Sequence, residues 1–542
     1  MIRDFESLEN WELRIIEGIK NDPKLSLTLV IGDGRNPSDL ERLTNFEILK
    51  TIQSVGKIIF QWQERKERER YLKNMLSIER KEVIFFLKNI PNVKLYPIRE
   101  ANTDHFSKED SDLIKAYNLD LILKMNFANI KGAILRAPKL GIWHLIHSEY
   151  SLKRGGFPGF WEVLNKEPFV TVSLFKLNFE GDGLLIDRAY FNRNPASAII
   201  TNNIVKESSV SLLLKYLNNT ESTTSQQYEK PVDLQLIYRN PGLFYIGNYL
   251  WNFYSNYTLG KLKRFFKSKD KRTQCWTLFL GKGNFFDTDL NCISPVNLPK
   301  DEFWADPFLY EYEDNQYVFF ENYSYKTEKG KISCGKVKDD KLVEITDVLD
   351  LPYHLSYPYI FEENGVMYLM PETSENKRLE IYRCQSFPDQ WEICTTAFEG
   401  EQVVDASFYV DEQSKKWLFL NKIVAPNVDR TSELHIYLVD SIKLKRLIPH
   451  NQNPVIIDSR FARNGGAIFK NGEHVFRPSQ RNTDGIYGRA LNINRIKKLS
   501  IAEYEEETIQ RVEANFQPAF VSIHHLHQTN GMFVFDAAYE SL

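Results

Sequence analysis

The sequence predicts two domains of different class, an N-terminal α/β domain and a C-terminal all-β domain, a five-bladed β-propeller. The propeller prediction rests on a phrase that occurs five times: a Pro- or Gly-bearing apex, an apolar strand, a tight polar turn and an aromatic-rich strand. The copies read FWADPFLYEYEDNQYVFFE, LSYPYIFEENGVMYLMPE, VVDASFYVDEQSKKWLFLN, RNGGAIFKNGEHVFRPSQ and HHLHQTNGMFVFDA. They recur about every 50–60 residues, a period typical of propeller blades. A unit of this size cannot bury both faces of its sheet, so we expect the five to pack around a shared axis.

The length and composition fit this division. A chain of 542 residues is too long to fold around a single hydrophobic core. We predict an α/β domain over 1–217, a connector over 218–272 and the propeller over 273–542. Aromatic residues make up 13% of the chain, with 36 Phe, 27 Tyr and 9 Trp. Packing inside the blades accounts for most of these rings, and the remainder suits stacking on sugar faces.

The net charge and the cysteines indicate which partners and which cellular compartment to expect. A net charge of −3 gives no indication of nucleic-acid binding. The five cysteines include no CxxC pair, which fits a reducing compartment and argues against a structural zinc site. The N-terminus MIRDFESLENWELRIIEG has no apolar signal region, and no apolar run reaches the ~18–20 residues of a membrane span. The predicted location is the cytoplasm.

The first 220 residues have a different pattern from the rest. LSLTLVIGDG and DLILKMNF are typical of buried strands, and FSKEDSDLIKAYN has helical periodicity with a Ser–x–x–Asp start. Strands that alternate with helices predict a parallel, Rossmann-like α/β sheet. The Gly-turn at residues 32–34 is too short for a dinucleotide fingerprint, and we predict no cofactor.

From residue 141 the chain reads GIWHLIHSEYSLKRGGFPGFWEVLNKEPFVTVSLFKLNFEGDGLL. This segment resembles the core of the methionyl-tRNA and sugar-nucleotide formyltransferases, over about residues 26–215. The family's Arg–Gly and the following Pro and Trp match Arg154, Gly155, Pro158 and Trp161. The resemblance implies a formyltransferase-like fold and a pocket for a nucleotide or sugar.

The catalytic positions of that family do not match. Its Asn falls on His144, its His on Ile146, and its Asp on Glu180 or, with a shifted loop, on Asp182. Formyl transfer needs a general base and an oxyanion donor, and isoleucine can be neither. His147 is a possible substitute, but period-two alternation along a strand places its side chain on the opposite face. We therefore interpret these residues as a vestigial site.

The connector allows two interpretations. Residues 218–231 are polar and typical of an exposed linker. The following stretch, NPGLFYIGNYLWNFYSNYTLGKLKRFFKSKDKR, is aromatic and then basic, with Lys261, Lys263, Arg264, Lys267, Lys269, Lys271 and Arg272. It could be a helix packed between domains, which the irregular spacing of its aromatics favours, or it could lie at the anionic surface of the inner membrane.

Acidic residues stand at three successive apices of the predicted propeller, namely Asp306, Glu372 and Asp405. Glycosyl transfer passes through an oxocarbenium-like state, which needs one carboxylate as nucleophile or base and one carboxyl as acid. Asp306 is the candidate nucleophile or base, Glu372 the candidate acid and Asp405 a third catalytic candidate. The alternatives are an Asx-turn cap for Asp306 and an ion pair with Arg378 or Arg477 for Glu372.

The run FWADPF…SYPYIFE…MPE…DASF…RPSQ resembles the propeller that precedes the transferase domain of plant glucosamine inositolphosphorylceramide transferases, over about residues 275–540. More distantly it resembles the five-bladed glycoside hydrolases of families 43 and 32. The hydrolase resemblance implies a funnel with an Asp on blade 1, an Asp on blade 2 and a Glu on blade 3. Only Asp306 matches in residue type. Blade 2 offers Glu372 where the hydrolases have an Asp, and blade 3 offers Asp405 where they have a Glu.

Further side chains are candidates for binding substrate: Trp304, Glu321, Arg477, Gln480 and His525. Arg477 could grip a phosphate or carboxylate, or it could form hydrogen bonds between blades. Of the three histidines near the C-terminus, only His525 and His527 share a strand face, so we predict no metal. A funnel-lining role for His524 or His525 is the better interpretation.

These features together predict a cytoplasmic glycosyltransferase that builds a bacterial surface polysaccharide or glycolipid. Its partners would be an activated sugar donor and a glycan or glycolipid acceptor, and furanosyl transfer, of fructose or arabinose, is the specific expectation from the hydrolase resemblance. Two other classes remain open. One is a sugar N-formyltransferase with a glycan-binding propeller, and the other is a non-catalytic glycan-binding protein.

Overall fold

The structure, a computed structural model, describes residues 1–35, 53–72, 79–100, 103–127, 129–147, 157–178, 183–220, 241–266, 274–529 and 531–540. The chain forms two compact units. The first comprises Met1–Leu259 with Ala425–Val428, and the second Gly260–Val424 with Asp429–Leu542. The domain limits expected from the sequence stay a prediction.

Helices and short strands alternate along the first unit. The helices are Asn10–Asn21, Gln53–Glu67, Arg80–Lys88, Lys108–Lys115, Phe160–Leu164, Ala198–Asn218 and Leu243–Phe266. The strands are Val30–Asp33, Asn92–Leu95, Ile98–Glu100, Thr103–Phe106, Ile122–Lys124, Asn129–Gly132, Ile142–Ile146, Val170–Leu177 and Gly183–Phe191. Branched aliphatic and aromatic side chains such as Ile31, Ile122 and Phe175 are buried against one another and form the core.

The pairing of these strands corrects the prediction of a parallel sheet. Parallel pairs do occur, as between Val30–Asp33 and Asn92–Leu95. However, Val170–Leu177 pairs antiparallel with both Ile142–Ile146 and Gly183–Phe191. The residues between Leu177 and Gly183 are too few for the crossover that a parallel pair needs, so the two strands pair antiparallel. A Rossmann-like, formyltransferase-like fold stays a prediction.

From Gln274 onward, the second unit consists of five β-sheets in sequence, which confirms the predicted propeller. Blades 1 to 4 each use consecutive strands of the chain. Blade 5 combines the last two strands with Gln274–Lys282, the first strand of the unit, which pairs antiparallel with Met532–Glu540. The two ends of the propeller are therefore joined through one ladder of backbone hydrogen bonds.

Turns between alternating apolar segments set the strand bounds. Blade 1 contains Glu302–Tyr312, Asn315–Ser324, Lys329–Lys338 and Lys341–Leu349; blade 2 contains Ser356–Glu363, Val366–Glu372, Leu379–Ser386 and Gln390–Ala397. Blade 3 contains Gln402–Val410, Lys416–Ile423, Glu433–Val439, Leu447–Pro449 and Ile456–Ile457; blade 4 contains Phe469–Asn471, His474–Thr483, Ile486–Leu499 and Tyr504–Glu513. Phe520–Thr529 begins blade 5.

Apolar side chains fill the spaces between neighbouring blades. One core spans blades 1 to 3 and includes Phe308, Leu369 and Leu418. Further cores join blades 3 and 4, blades 4 and 5, and blades 5 and 1, the last through Leu278 and Phe320. Burial of these faces against each other stabilises the ring, because no single sheet can bury both of its faces.

Two further expectations concern the pairing of the cysteines and the presence of membrane-spanning helices. The thiols of Cys275, Cys292, Cys334, Cys384 and Cys394 are free, as the sequence predicts. In the part of the chain that the structure describes, no helix combines the length and the apolar character needed to cross a membrane.

Candidate active site

The inner strands of blades 1, 2 and 3 are interrupted by β-bulges at their apices. The residue at each bulge has a positive φ: 51° at Asp306, 45° at Tyr357 and 49° at Asp405. Bulges bend a strand and redirect a side chain away from the regular alternation. The three bulges place these side chains at equivalent positions of successive blades.

Blades 4 and 5 complete the set with different residues. The blade 4 position is Gly466, with a φ of 130°, where a Cβ would lie 1.8 Å from the backbone oxygen of Leu526. Only glycine fits such a close approach of two chains. In blade 5 the pairing shifts between Ile523 and Leu526, which leaves His524 and His525 at the bulge.

The bulges correct the sequence assignment for blade 2. Glu372 does not occupy the apex, because it ends the second strand and pairs with Ser356. Glu321 holds the same position in blade 1, where it pairs with Ala305. The sequence analysis placed Glu372 at the apex of blade 2, but that apex is Tyr357, which precedes Pro358.

Asp306 is surrounded by donors from two other blades. Its Oδ2 accepts a hydrogen bond from the backbone N–H of Tyr357 at 3.2 Å, and its Oδ1 lies 3.6 Å from His524 Nε2 and 3.5 Å from His525 Nδ1. Burial by itself would raise the pKa of Asp306. The charges of His524, His525 and Arg463 outweigh burial and lower that pKa to about 2. Asp306 is therefore ionised at neutral pH.

His524 joins Asp306 to Asp536, a second buried carboxylate. Its Nδ1 lies 2.7 Å from Asp536 Oδ1, and its ring stacks on Trp276 with centroids 3.9 Å apart. Asp536 also accepts the backbone N–H of Asp306 at 2.8 Å. Burial lowers the pKa of His524, but the two carboxylates exceed that effect and raise it overall. This shift favours the protonated imidazole, whose positive charge lowers the pKa of Asp306.

Glu321 has the opposite electrostatic environment. Its side chain is 9% exposed and lies 3.5 Å from His354 Nε2. Burial and the negative charges of Asp306, Glu372, Asp536 and Asp405 raise its pKa well above the ordinary value. These effects favour the protonated form of the Glu321 carboxyl group.

Arg463 holds the carboxylates of blades 2 and 3 together. Its Nε donates to Asp405 Oδ2, and one terminal nitrogen lies 3.3 Å from Asp405 Oδ1 and 3.6 Å from Glu372 Oε2. Burial raises the pKa of Asp405 to about 7 despite the opposing charge of Arg463, because Glu372 and Asp306 add to the effect of burial. With 3% of its side chain exposed, Asp405 lies deeper than Glu372, which keeps 11%.

Gln480 and Arg477 have different environments, although the sequence grouped them. The Nε2 of Gln480 lies 3.4 Å from Asp405 Oδ2, so Gln480 belongs to the cluster. Arg477 is fully buried and donates to Glu506, to the Oδ1 of Asn464 at 3.0 Å and to backbone oxygens. Its donors are engaged inside the protein, but with partners in blade 4 and in the segment that precedes it, not between blades as the alternative expected.

Three further candidates also have contacts within the protein. Trp304 packs on Phe320 with centroids 4.5 Å apart, in the apolar core between blades 5 and 1. His527 Nδ1 accepts the backbone N–H of Leu309 at 2.9 Å, and burial lowers its pKa to about 3. His525 is completely buried, edge-on to Phe308 with centroids 4.6 Å apart.

Three residues in the funnel could in principle hold a metal ion. Asp306, His524 and Asp536 each offer a ligand atom, and these atoms lie within 4.8 Å of one another. The distance between His524 and Asp536 is that of a hydrogen bond, and Asp536 also accepts hydrogen bonds from backbone N–H groups. Such a set of hydrogen bonds needs no ion to satisfy its charges, and the absence of a metal stays a prediction.

The candidates of the first unit are described only in part. His144 Nδ1 lies 3.2 Å from the backbone oxygen of Lys124, and His147 Nε2 lies 2.9 Å from Ser209 Oγ. Ile146, which lies between these histidines in the sequence, is buried. Arg154, Glu180 and Asp182 lie outside the described residues, so the vestigial site stays a prediction.

Comparison with known proteins locates the similarity in the propeller. Residues 289–519 match the family model "Glucosamine inositolphosphorylceramide transferase 1, N-terminal". Proteins of that name from Oryza sativa subsp. japonica and Arabidopsis thaliana are each 33% identical to this chain over 223 residues, 40% of it. The match spans only 29% and 28% of the lengths of these two relatives.

Solved structures give a weaker likeness. An exo-beta-1,3-galactanase from Clostridium thermocellum is 12% identical, with a TM-score of 0.31 over 42% of this chain and 53% of its own. The catalytic domain of a GH62 alpha-L-arabinofuranosidase from Coprinopsis cinerea is 11% identical, with a TM-score of 0.34 over 50% of this chain and 97% of its own.

The sequence analysis missed three members of the cluster. Arg463 stands in the RNGG phrase just before the blade 4 glycine, and Asp536 ends the last phrase, so both were visible as charged residues next to an apex. Tyr357 was hidden because the search looked for acidic residues. Comparing the five phrases position by position, rather than by residue type, would have found all three.

Proposed function

We propose that the funnel of the propeller is a glycosyl-transfer site. The observation that carries the proposal is the opposite shift of the pKa values of two carboxyl groups of one cluster, since that of Asp306 is lowered to about 2 and that of Glu321 is raised. Groups whose environments separate their pKa values in this way are suited to the roles of base and acid. The family match of residues 289–519 supports a role in sugar transfer to a glycolipid.

Each group has a distinct role. The carboxylate of Asp306 attacks the anomeric carbon or accepts the proton of the acceptor hydroxyl, and the carboxyl of Glu321 donates its proton to the departing oxygen. Asp306, Glu321 and Glu372 each expose about a tenth of their side chains, which leaves them within reach of a bound sugar. Arg463, which also pairs with Asp405, positions Glu372.

In this assignment the general acid is Glu321 and not Glu372, the candidate from the sequence. Glu372 Oε2 lies 3.6 Å from the Arg463 guanidinium, whereas the basic group in contact with Glu321 is His354, at 3.5 Å. Burial lowers the pKa of His354, so this imidazole is neutral and does not remove the proton from Glu321 by attraction. The finer proposal is furanosyl transfer in the assembly of a bacterial capsule or glycolipid.

The test begins with a thermal-shift screen of activated sugars, in which a ligand at 100 times its dissociation constant stabilises by about 2.7 kcal/mol. Transfer from the selected donor is then measured by mass spectrometry of the products. Asp306→Asn and Glu321→Gln should each reduce turnover at least ~100-fold without loss of folding. The matched control is Asp347→Asn, on the outer strand of blade 1. Full activity in a folded Asp306→Asn protein would refute the proposal.

A further inference from the structure

A second group of charged side chains lies on blade 4 and is not part of the carboxylate cluster. It consists of Arg460, Arg481 and Arg511. Arg460 precedes the blade, and the other two belong to its second and fourth strands, His474–Thr483 and Tyr504–Glu513. None of the three was a candidate in the sequence analysis, because they stand 21 and 30 residues apart in the chain.

The strand register brings these arginines to one face of the blade. Ser479 pairs with Asn492 across the second and third strands, and Asn492 pairs with Arg511 across the third and fourth. Side chains alternate along a strand, so Arg481, two residues after Ser479, lies on the same face. Asn492 links the set, since its amide donates to the backbone oxygen of Arg460 at 2.8 Å and its Oδ1 accepts from Arg511 at 3.2 Å.

The positive charge of this group is only partly balanced. Arg460 forms a bidentate pair with Asp458, with contacts of 2.9 and 2.7 Å. Glu513, at the end of the fourth strand, lies 3.9 Å from Arg489. The guanidinium of Arg481 is half-buried and has no hydrogen bond to any residue within the described ranges. Burial and the charges of Arg511 and Arg460 lower the pKa of Arg481, and the attraction of Asp458 and Glu513 does not offset them.

A half-buried guanidinium without an acceptor is costly, and the cost is removed when an anion supplies the missing oxygens. Phosphate matches this requirement best, because its oxygens accept bidentate hydrogen bonds from the planar fork of an arginine. A second arginine at the same face adds charge, and Arg511 is exposed and so accessible from solvent.

The position of the group relates it to the funnel. Arg481 directly follows Gln480, whose amide contacts Asp405, and Arg460 lies three residues before Arg463. Successive residues of a strand are about 3.3 Å apart, so the backbone of Arg481 lies at the same end of blade 4 as Gln480, while alternation directs the two side chains to opposite faces. A molecule with its sugar in the funnel would have to extend around this end of blade 4 to reach the arginines.

We propose that Arg481 and Arg511, with Arg460 beside them, form a binding site for a phosphate or diphosphate group of the sugar-transfer substrates. This inference rests on the proposed function for the identity of the molecule, but not for the binding of the anion. The phosphate has two possible sources, a nucleoside diphosphate sugar and a phosphorylated lipid. In either case the arginines neutralise the phosphate and position the attached sugar or acceptor.

Calorimetric titration of the whole protein with inorganic pyrophosphate tests the site. We expect saturable binding that weakens about 10-fold or more in Arg481→Gln and in the exposed variant Arg511→Gln, because each removes a charge-assisted hydrogen bond. Arg495→Gln is the matched control, since Arg495 lies on the same blade and pairs with Glu507 at 2.9 Å. Absent binding, or unchanged binding in both variants, overturns the proposal.

Two further titrations identify the molecule that supplies the phosphate. Tighter binding of uridine diphosphate than of a short-chain prenyl phosphate assigns the site to the donor, and the reverse order assigns it to a lipid-linked substrate. The outcome is separable from that of the funnel. If Asp306→Asn abolishes transfer and the arginine variants bind pyrophosphate normally, only the anion site fails. If the arginine variants lose binding and Asp306→Asn transfers normally, only the glycosyl-transfer proposal fails.

Discussion

His524 Nε2 lies 3.6 Å from Asp306 Oδ1, although the two residues come from the last and the first blades of the propeller. The contact depends on the ring closure that Gln274–Lys282 provides, since this strand holds blade 5 beside blade 1. Asp536 and Asp306 raise the pKa of His524 against the effect of burial, which favours its positively charged form. The charge state of the proposed nucleophile is thus controlled by a residue about 218 positions away in the chain.

We expect His524→Gln to raise the pKa of Asp306. An opposite charge at this distance shifts a carboxyl pKa by about 1–3 units, and His525 and Arg463 remain to supply part of the effect. The acidic limb of the rate profile should move upward by about one pH unit, while the rate at neutral pH changes less. His474→Gln, at an exposed position of blade 4, is the control. An acidic limb at the same pH in both variants would show that His524 does not tune Asp306.

Glu321→Gln should make the protein more stable at alkaline pH. The folded state raises the pKa of Glu321, so this group favours folding fully below its ordinary pKa of 4.5 and loses that contribution as the pH rises. Glutamine has the same shape and no charge to bury. Melting curves should therefore show a gain of about 2–4 °C at pH 8 that disappears near pH 4.5. A gain that is equal at both pH values would contradict a buried, protonated carboxyl.

Arg463→Gln should destabilise the propeller. The substitution leaves Asp405 and Glu372 without their shared cation, and breaking one side of a buried ion pair costs about 3–5 kcal/mol. Denaturant unfolding of the variant measures this cost, with Arg495→Gln on blade 4 expected to change stability by less than about 1 kcal/mol. Adding Asp405→Asn should restore part of the loss, because it removes the unpaired charge. Equal stability of Arg463→Gln and Arg495→Gln would exclude this role.

The first unit should not transfer formyl groups. Under the expected formyltransferase resemblance, Ile146 falls on the position of the catalytic histidine, and the structure shows that Ile146 is buried. Burial together with the charge of Lys206 lowers the pKa of His147 to about 3. Incubation with 10-formyltetrahydrofolate and amino-sugar nucleotides should yield no formylated product. Turnover that disappears in His147→Ala would overturn this expectation and favour the N-formyltransferase alternative.

Helix Leu243–Phe266 has aromatic residues on two faces. Ile246 and Tyr249 are buried within the first unit, whereas Phe244 is 80% and Trp251 74% exposed. The sequence after this stretch is basic, so we expect weak, salt-sensitive binding to anionic vesicles and none to neutral ones. Attraction should decline between 0.1 and 1 M salt, as the Debye length falls from about 10 to 3 Å.

Co-sedimentation measures this binding, and Phe244→Gln should weaken it. Phe85→Gln is the matched control, because Phe85 is 69% exposed on a different helix of the same unit. If anionic vesicles at low salt bind no protein, the helix has only a structural role. In that case the exposed rings would need another explanation.

The sequence by itself determined the propeller and most of its funnel. Five phrases with a shared apolar pattern required five sheets, because each unit has two faces to bury. The same phrases identified Asp306, Asp405, Glu321, Glu372 and Gln480, which the structure places in one cluster. What the pattern could not give is which carboxyl is charged, since that depends on distances between blades and not on neighbours in the chain.

Tertiary structure alone decided the roles of these residues. The bulge at Tyr357 displaced Glu372 from the blade 2 apex, and the positions of Arg463 and His524 determined which carboxylates have a cation nearby. Arg477 has the residue type of a ligand-binding group, yet burial against Glu506 engages it inside the protein. The electrostatic energy of a group depends on its burial and on charges within a few ångströms, and only the folded chain brings residues from different blades that close together.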